Sequence, residues 1–249
     1  MMPFIQLGTL KIPSFFVVIS FSLSLLLFFL SSRVEKKSKN RRIAFDLALL
    51  MMFSGFLGGR LMHVFYEEWA FYRENPLFIL YFWNGGFVFL GGVLACLLSG
   101  FIYSRLKKVN FWEWADFLAP CFSLAHALGR IGCVLSGCCF GHPCQLPWAL
   151  DGRHPTAIYL IIGELLIFIL LLLMEKKQVY QFSGGLFVKW LLLHSLLRFN
   201  VEYFRDDFRG LFVKLPLLGS LSVSQLISLV LILGCLAFYA KHCLRLRRL

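Results

Sequence analysis

The sequence is poor in charge, and poorest in acid. Asp and Glu number 13 against 25 Lys and Arg, and residues of both signs make up 15% of the 249-residue chain. A soluble domain carries roughly a quarter charged residues. With 59% hydrophobic residues and 28 Phe, the chain has too little polar surface to cover itself in water, which excludes an ordinary soluble fold. No Gly/Ser linker, low-complexity tract or internal repeat breaks the sequence, so a single transmembrane domain over 1–249 is expected. The pattern of a cleaved signal peptide is also missing. The first apolar segment carries its positive run after its apolar core, where a signal peptide would carry it before.

What is present is a series of long apolar segments. A spanning helix needs about 20 mostly apolar residues, and seven segments meet or approach that length. They run from about Pro13 to Leu30, Ile43 to Tyr66, Leu77 to Ser104, Phe111 to Leu135, Pro155 to Met174, Ser183 to Phe204 and Ser222 to Tyr239. The third is broken by Trp83-Asn84-Gly85-Gly86 and by Gly91-Gly92. Irregular backbone at membrane depth needs cover from protein or water, so Leu77 to Trp83 reads as a re-entrant or interfacial piece before the true span. Small residues in Gly55-Phe56-Leu57-Gly58-Gly59 predict close helix packing.

The basic residues sort by loop. Arg33, Lys36, Lys37, Lys39, Arg41 and Arg42 follow the first span, Arg105, Lys107 and Lys108 the third, Lys176 and Lys177 the fifth, and Lys241, Arg245, Arg247 and Arg248 the seventh. These loops alternate, so they share one face, which the positive-inside rule makes cytoplasmic. The expected fold is therefore an all-α integral membrane protein of seven transmembrane helices, N-terminus outside and C-terminus cytoplasmic. The net charge of +12 is topology and contact with anionic lipid, not a nucleic-acid interface.

Arg60, Arg130, Arg198, Glu202 and Arg205 remain, all near the outer ends of spans. A charge in hydrocarbon costs about 2.5–3.5 kcal/mol or more, so it normally has a partner or lines a wet cavity. Snorkelling anchors account for single residues of this kind. Five on one face predict an outward, positively charged cavity suited to a lipid phosphate. Arg198 and Glu202 are spaced i, i+4, and Glu202 and Arg205 i, i+3, so all three share a helix face. That ladder serves structure, catalysis or both.

Several ordered pieces carry a resemblance. They are Gly59-Arg60, Trp83-Asn84-Gly85-Gly86 with Gly91-Gly92, Asp116 to Pro120 as Asp-x-x-Ala-Pro, and Gly129-Arg130-Ile131-Gly132 with Gly141. Arg153-His154-Pro155 with Tyr159, Arg198-x-x-x-Glu202-x-x-Arg205 and Ser222-x-Ser224-Gln225-x-x-Ser228 complete the set. Together they resemble the bacterial prolipoprotein diacylglyceryl transferases over nearly the whole chain. That family moves a diacylglyceryl group from phosphatidylglycerol to a cysteine thiol of a lipoprotein signal, releasing glycerol phosphate. The resemblance implies a multi-pass protein of the bacterial plasma (inner) membrane with an outward-facing site. Its implied partners are phosphatidylglycerol or a similar anionic phospholipid and a lipoprotein signal peptide. It implies no cofactor and no metal. It also implies that Arg130 and Arg198 hold the headgroup, that Glu202 orients Arg198, and that Arg60, Gly132, Gly141 and Arg205 line the substrate site. Guanidinium groups clamp phosphate bidentately and stabilise charge on a leaving phosphoryl group.

The sequence departs from that pattern where the family positions or deprotonates its acceptor. The family's His before Gly91-Gly92 is Leu90, and its Tyr in the first span is Phe15. Its Asn and Glu after the Gly-Arg-x-Gly motif are Cys133 and Cys138, here placed with the substrate-binding residues. Its Tyr four residues before Arg198 is His194, which stands as a replacement general base beside the alternative of a structural His.

The cysteines leave several readings open. Cys96, Cys121, Cys235 and Cys243 sit in apolar runs and read as small core residues. Cys133, Cys138, Cys139 and Cys144, with His142 or His154, are soft enough for zinc. Their spacing is not that of a zinc finger, and adjacent Cys138 and Cys139 are not expected to point at one ion. A disulfide from Cys144 to Cys138 or Cys139 suits an outside loop. A reactive thiol beside Arg130 and His142 would have a lowered pKa. The diacylglyceryl transferase reading thus stands beside a thiol-redox or metal-binding protein and a non-catalytic lipid-binding protein built on the same fold.

Overall fold

The computed structural model describes residues 4–7, 10–178, 182–206, 212–215 and 219–246. The side chains of Phe15, Asn84 and Cys243, and residues Arg247 and Arg248, lie outside the described residues. The described residues form eight α-helices: α1 (Ser14–Lys36), α2 (Arg41–Met62), α3 (Trp69–Glu74), α4 (Phe89–Leu106), α5 (Phe111–Ser136), α6 (Thr156–Lys176), α7 (Gly185–Glu202) and α8 (Val223–Leu246). Two antiparallel ribbons add to them: β1 (Phe4–Leu7) with β2 (Leu10–Pro13), and β3 (Phe212–Leu215) with β4 (Gly219–Ser222).

Among the described residues, five helices are long and apolar enough to cross a membrane: Val17–Lys36, Arg41–Glu67, Phe111–Ser136, Thr156–Lys176 and Val223–His242. Leu90–Leu106 is apolar but shorter. The sixth expected segment, Ser183 to Phe204, is α7, which bears Lys189, His194, Arg198 and Glu202. The chain is a multi-pass helical membrane protein.

It packs as two compact units, residues 1–26 with 112–249, and residues 27–111. In the second, α2 and α4 lie in close contact through small residues. A Cβ on Gly58 would stand 2.3 Å from the Ala95 Cβ, and one on Gly91 2.4 Å from the Gly58 carbonyl oxygen. Between α2 and α4 the chain makes a π-turn (His63–Glu67), α3, and two short 3₁₀ turns (Pro76–Leu80, Phe82–Asn84). The irregular stretch expected before the third span is thus real. Arg60 holds it in place. Its guanidinium donates to the carbonyls of Phe78, Ile79, Tyr81, Gly85 and Gly86, at 2.7, 3.2, 3.4, 2.5 and 3.2 Å. This supplies donors that a non-helical backbone in a membrane cannot otherwise find.

In the first unit the helix ends are set by named side chains. The carboxylate of Asp116 on α5 accepts from Gly184 N (2.7 Å) and Phe187 N (2.8 Å), capping the start of α7. Those N–H groups have no intrahelical acceptor, and the helix dipole favours an anion there. Helix α8 opens with a reciprocal capping box. Gln225 N donates to Ser222 Oγ at 3.2 Å, and Ser222 N to Gln225 Oε1 at 3.0 Å. Helix α5 closes with Gly137 at φ +70°. There Gly137 N donates to the Val134 carbonyl and Cys138 N to the Cys133 carbonyl, a Schellman pattern that turns the chain back on its last helical turn.

Candidate active site

Glu164 lies at the centre of the first unit. It is fully buried on α6 and faces both α5 and α7. His194 Nδ1 is hydrogen-bonded to its Oε1, and His126 Nδ1 lies 3.3 Å from the same oxygen. Ser123 Oγ lies 2.7 Å from Oε2. With Nδ1 of His126 donating to the carboxylate, Nε2 remains an acceptor, and Arg130 Nη2 stands 3.5 Å from it. A continuous chain therefore runs His194–Glu164–His126–Arg130. Gly163 lets α7 approach, since a Cβ there would meet Leu197 at 2.5 Å.

The contacts between α5 and α7 rise together along the two helices. Asp116 meets Gly184 and Phe187, Phe122 meets Phe187 and Trp190, and the rings of His126 and His194 stand 4.8 Å apart. The helices run parallel. Arg130 and Arg198 each follow the paired histidines by four residues, one turn of helix, and so stand at one level. Arg198 Nη2 pairs with Glu202 Oε2 at 2.7 Å, and Ser222 Oγ donates to Glu202 Oε1 at 3.0 Å. Glu202 is fixed from two sides and fixes Arg198.

The segment after α5 brings the thiols to the same end. Gly141 bridges to Arg205, donates to the His154 carbonyl at 2.8 Å and leaves no room for a side chain. A Cβ there would stand 2.1 Å from the Phe204 carbonyl oxygen. Gly132 is buried on α5. The Sγ atoms of Cys133, Cys138 and Cys139 lie within 4.8 Å of one another, and those of Cys138 and Cys139 are 3.4 Å apart. Adjacent cysteines converge because the Schellman turn folds Cys138 over Cys133 and Cys139 takes φ +66°. The sequence spacing argues against that convergence, since it depends on a backbone conformation rare in non-glycine residues. Hydrogen bonds from the Cys133 and Cys138 thiols, then the Arg205 guanidinium, hold the Cys139 thiol well below the ordinary thiol range, against the opposing effect of burial. Cys138, Cys139 and Cys144 are not joined in disulfides, and Cys144 donates its backbone N–H to the Gly152 carbonyl. Outside the cluster, Asp206 lies 3.2 Å from His142 Nδ1 and 3.1 Å from Arg153 Nη1.

The structure thus unites His194, Arg130, Arg198, Glu202 and Ser222 in one unit, with Arg205, Gly141 and the three thiols beside them. Arg60 belongs to the other unit, where backbone carbonyls surround its guanidinium. Leu90 is half-exposed on α4. Sequence reasoning missed His126 and Glu164. Both left a signal: Glu164 interrupts an apolar span, and His126 precedes Arg130 by one helical turn.

Long apolar helices that carry a buried Arg198–Glu202 ion pair and a buried Glu164 define a multi-pass membrane protein. A family model for prolipoprotein diacylglyceryl transferase matches residues 3–241, and the chain belongs to that family. Relatives named phosphatidylglycerol–prolipoprotein diacylglyceryl transferase are similar to it. One from Clostridioides difficile is 34% identical over 76% of this chain and 74% of its own length. One from Bordetella avium is 34% identical over 78% and 75%. One from Listeria welshimeri is 29% identical over 92% and 84%.

Proposed function

We propose that the protein is a phospholipid-dependent transferase that moves a diacylglyceryl group from phosphatidylglycerol to a thiol. The acceptor thiolate attacks the glyceryl carbon next to the phosphate ester. A C–S bond forms, the C–O bond to phosphate breaks, and glycerol phosphate leaves with the electron pair. Arg130 and Arg198 bind the phosphate and offset its growing charge. Glu202 orients Arg198, and Glu164 orients Arg130 through His126. His194 is tied to Glu164 through Nδ1, which leaves Nε2 to take the acceptor's proton. Gly132, Gly141 and Arg205 shape the wall around the headgroup. Arg60 contributes by holding the segment 76–88.

The reading includes seven spans, with α4 and α7 as the shorter two, N-terminus outside and the site facing outward from a bacterial inner membrane. The distribution of Lys and Arg among loops supports that sidedness. The polar groups of α7 are compatible with crossing because Glu164 and Glu202 partner them. The observation that carries the reading is the level pairing of Arg130 and Arg198, each braced by a buried carboxylate through hydrogen bonds.

The experiment uses purified protein, phosphatidylglycerol vesicles and a peptide carrying a lipoprotein-signal cysteine, with glycerol phosphate and lipidated peptide measured. Arg130→Ala and Arg198→Ala should each lower turnover by about 10²–10³-fold, the usual effect of removing a charge-stabilising donor. Full activity in Arg130→Ala removes the headgroup assignment, and no turnover in the unaltered protein removes the transferase reading.

A further inference from the structure

The transfer chemistry leaves one built feature unused. Three cysteine sulfurs converge at the end of α5, all within 4.8 Å of one another. Two structural features produce the convergence. The Schellman turn at Gly137 brings Cys138 back beside Cys133. Cys139 holds φ +66°, a conformation that costs a non-glycine residue about 1–3 kcal/mol and gathers at functional positions. The backbone there is pinned by the Thr156 hydroxyl on the Cys139 carbonyl and by the Gly141–Arg205 bridge.

The surroundings are cationic. Arg130 Nη1 stands 4.0 Å from Cys133 Sγ, and the Arg205 guanidinium hydrogen-bonds Cys139. Three thiolates gathered without countercharge would repel one another, and two guanidinium groups offset them. Cys138 is exposed and its partners half-buried, so an ion could enter from one side. Thiolates select thiophilic d¹⁰ ions. A Zn–S distance of about 2.3 Å implies a sulfur–sulfur spacing of about 3.8 Å around a tetrahedral ion. The observed 3.4 Å between Cys138 and Cys139 and the 4.8 Å limit on the set bracket that value.

We propose that Cys133, Cys138 and Cys139 form a three-thiolate site for one thiophilic d¹⁰ metal ion, Cu(I) or Zn(II), charge-balanced by Arg130 and Arg205. Three protein ligands leave a position open to solvent or to a further ligand. The site stands independently of the transferase reading, because its ligands are defined by their own convergence. Cys144 is outside it.

The test uses the full chain purified in detergent under anaerobic, reducing conditions and then freed of reductant. Cu(I) and Zn(II) are titrated separately against chromophoric chelators, thiolate-to-metal charge transfer is followed in the ultraviolet, and the bound thiols are mapped by alkylation and mass spectrometry. One equivalent of Cu(I) or Zn(II) should bind, produce the charge-transfer band and protect Cys133, Cys138 and Cys139 from alkylation, with Cys144 still modified. Cys138→Ser, at the exposed position, should weaken binding on the order of a hundredfold, the share of one ligand in a thiolate site, and Cys144→Ser should leave it unchanged. Binding of neither ion, binding indifferent to Cys138→Ser, or unprotected thiols in the metal-loaded protein would overturn the proposal. None of these readouts depends on turnover, so loss of transferase activity is scored separately.

Discussion

Removing the Glu164 carboxylate tests whether the buried chain beneath Arg130 organises the site. In Glu164→Ala the Nδ1–H groups of His126 and His194 lose their acceptor, while Ser123 keeps the Glu164 backbone carbonyl at 2.8 Å. A buried donor left without a partner costs about 1–3 kcal/mol, so two cost about 2–6. This agrees with the roughly 3–5 kcal/mol of breaking a buried charged pair from one side. At about 2–4 °C per kcal/mol for a chain of this size, melting should fall by roughly 5–20 °C. Glu164→Gln keeps the shape and one acceptor oxygen, and should fall less. The network does not exist for stability alone, however. Apolar replacement of a whole buried ionic group is often neutral or stabilising. The triple variant His126→Leu, Glu164→Leu, His194→Leu should therefore recover much of the melting temperature and none of the turnover. Thermal unfolding in detergent and glycerol phosphate release, measured on the same preparations, give both numbers. A Glu164→Ala protein that melts and turns over like the unaltered one would refute the role given to this chain, as would a triple variant that regains activity with stability.

Gly141→Ala places a methyl group 2.1 Å from the Phe204 carbonyl oxygen. The bridge to Arg205 should open, with a loss of about 1–3 kcal/mol typical of overpacking, read by thermal unfolding. Arg60→Lys replaces five fixed donors by three on a flexible stem. Faster amide hydrogen exchange over residues 76–88 is expected, and unchanged exchange would show that the segment holds itself. In metal-free protein, the lowered pKa of Cys139 should make its alkylation slow less steeply as pH falls than that of an ordinary thiol, which loses about tenfold per unit below its pKa of about 8.5. The sign for stability follows. A thiol whose folded pKa lies below its unfolded value stabilises the fold fully above the unfolded value and loses that contribution as pH falls through the folded one. Acid therefore weakens this loop.

Much of the fold was legible because it rests on local signals. Most apolar segments became helices near their expected ends, although α1 and α8 continue past Leu30 and Tyr239 and α4 begins only at Phe89. The Trp83-to-Gly86 break became a stretch of short turns, and the Gly55-to-Gly59 run became the close contact of α2 with α4. The Arg198, Glu202 and Ser222 set was legible as spaced motifs. Glu164 and His126 were not, since a carboxylate alone in an apolar span says that a partner exists but not which helix provides it. The partner depends on α5 and α7 running parallel past α6, a tertiary fact. The convergence of Cys138 with Cys139 depends on one positive φ, which the residue type itself disfavours.

The departures at Cys133, Cys138 and His194 lie in one unit, on either side of Arg130. Where the resemblance places the family's acceptor-handling groups, this chain has thiols at Cys133 and Cys138 and an imidazole at His194. Arg130 lies between these two sets. It contacts the imidazole chain through His126 and stands 4.0 Å from Cys133 Sγ. A change of charge on either side alters the field at that guanidinium. The buried Glu164 side is fixed by packing and cannot easily respond. The thiol side is partly exposed and can gain or lose an ion or a proton. If Arg130 binds the lipid phosphate, headgroup affinity is coupled to the state of the cysteines, and the coupling is reciprocal. Metal-loaded and metal-free protein should therefore differ in phosphatidylglycerol affinity, and the lipid should change metal affinity by the same factor. Equal lipid affinity in metal-free and metal-loaded protein, measured by titration into vesicles, would separate the two sites.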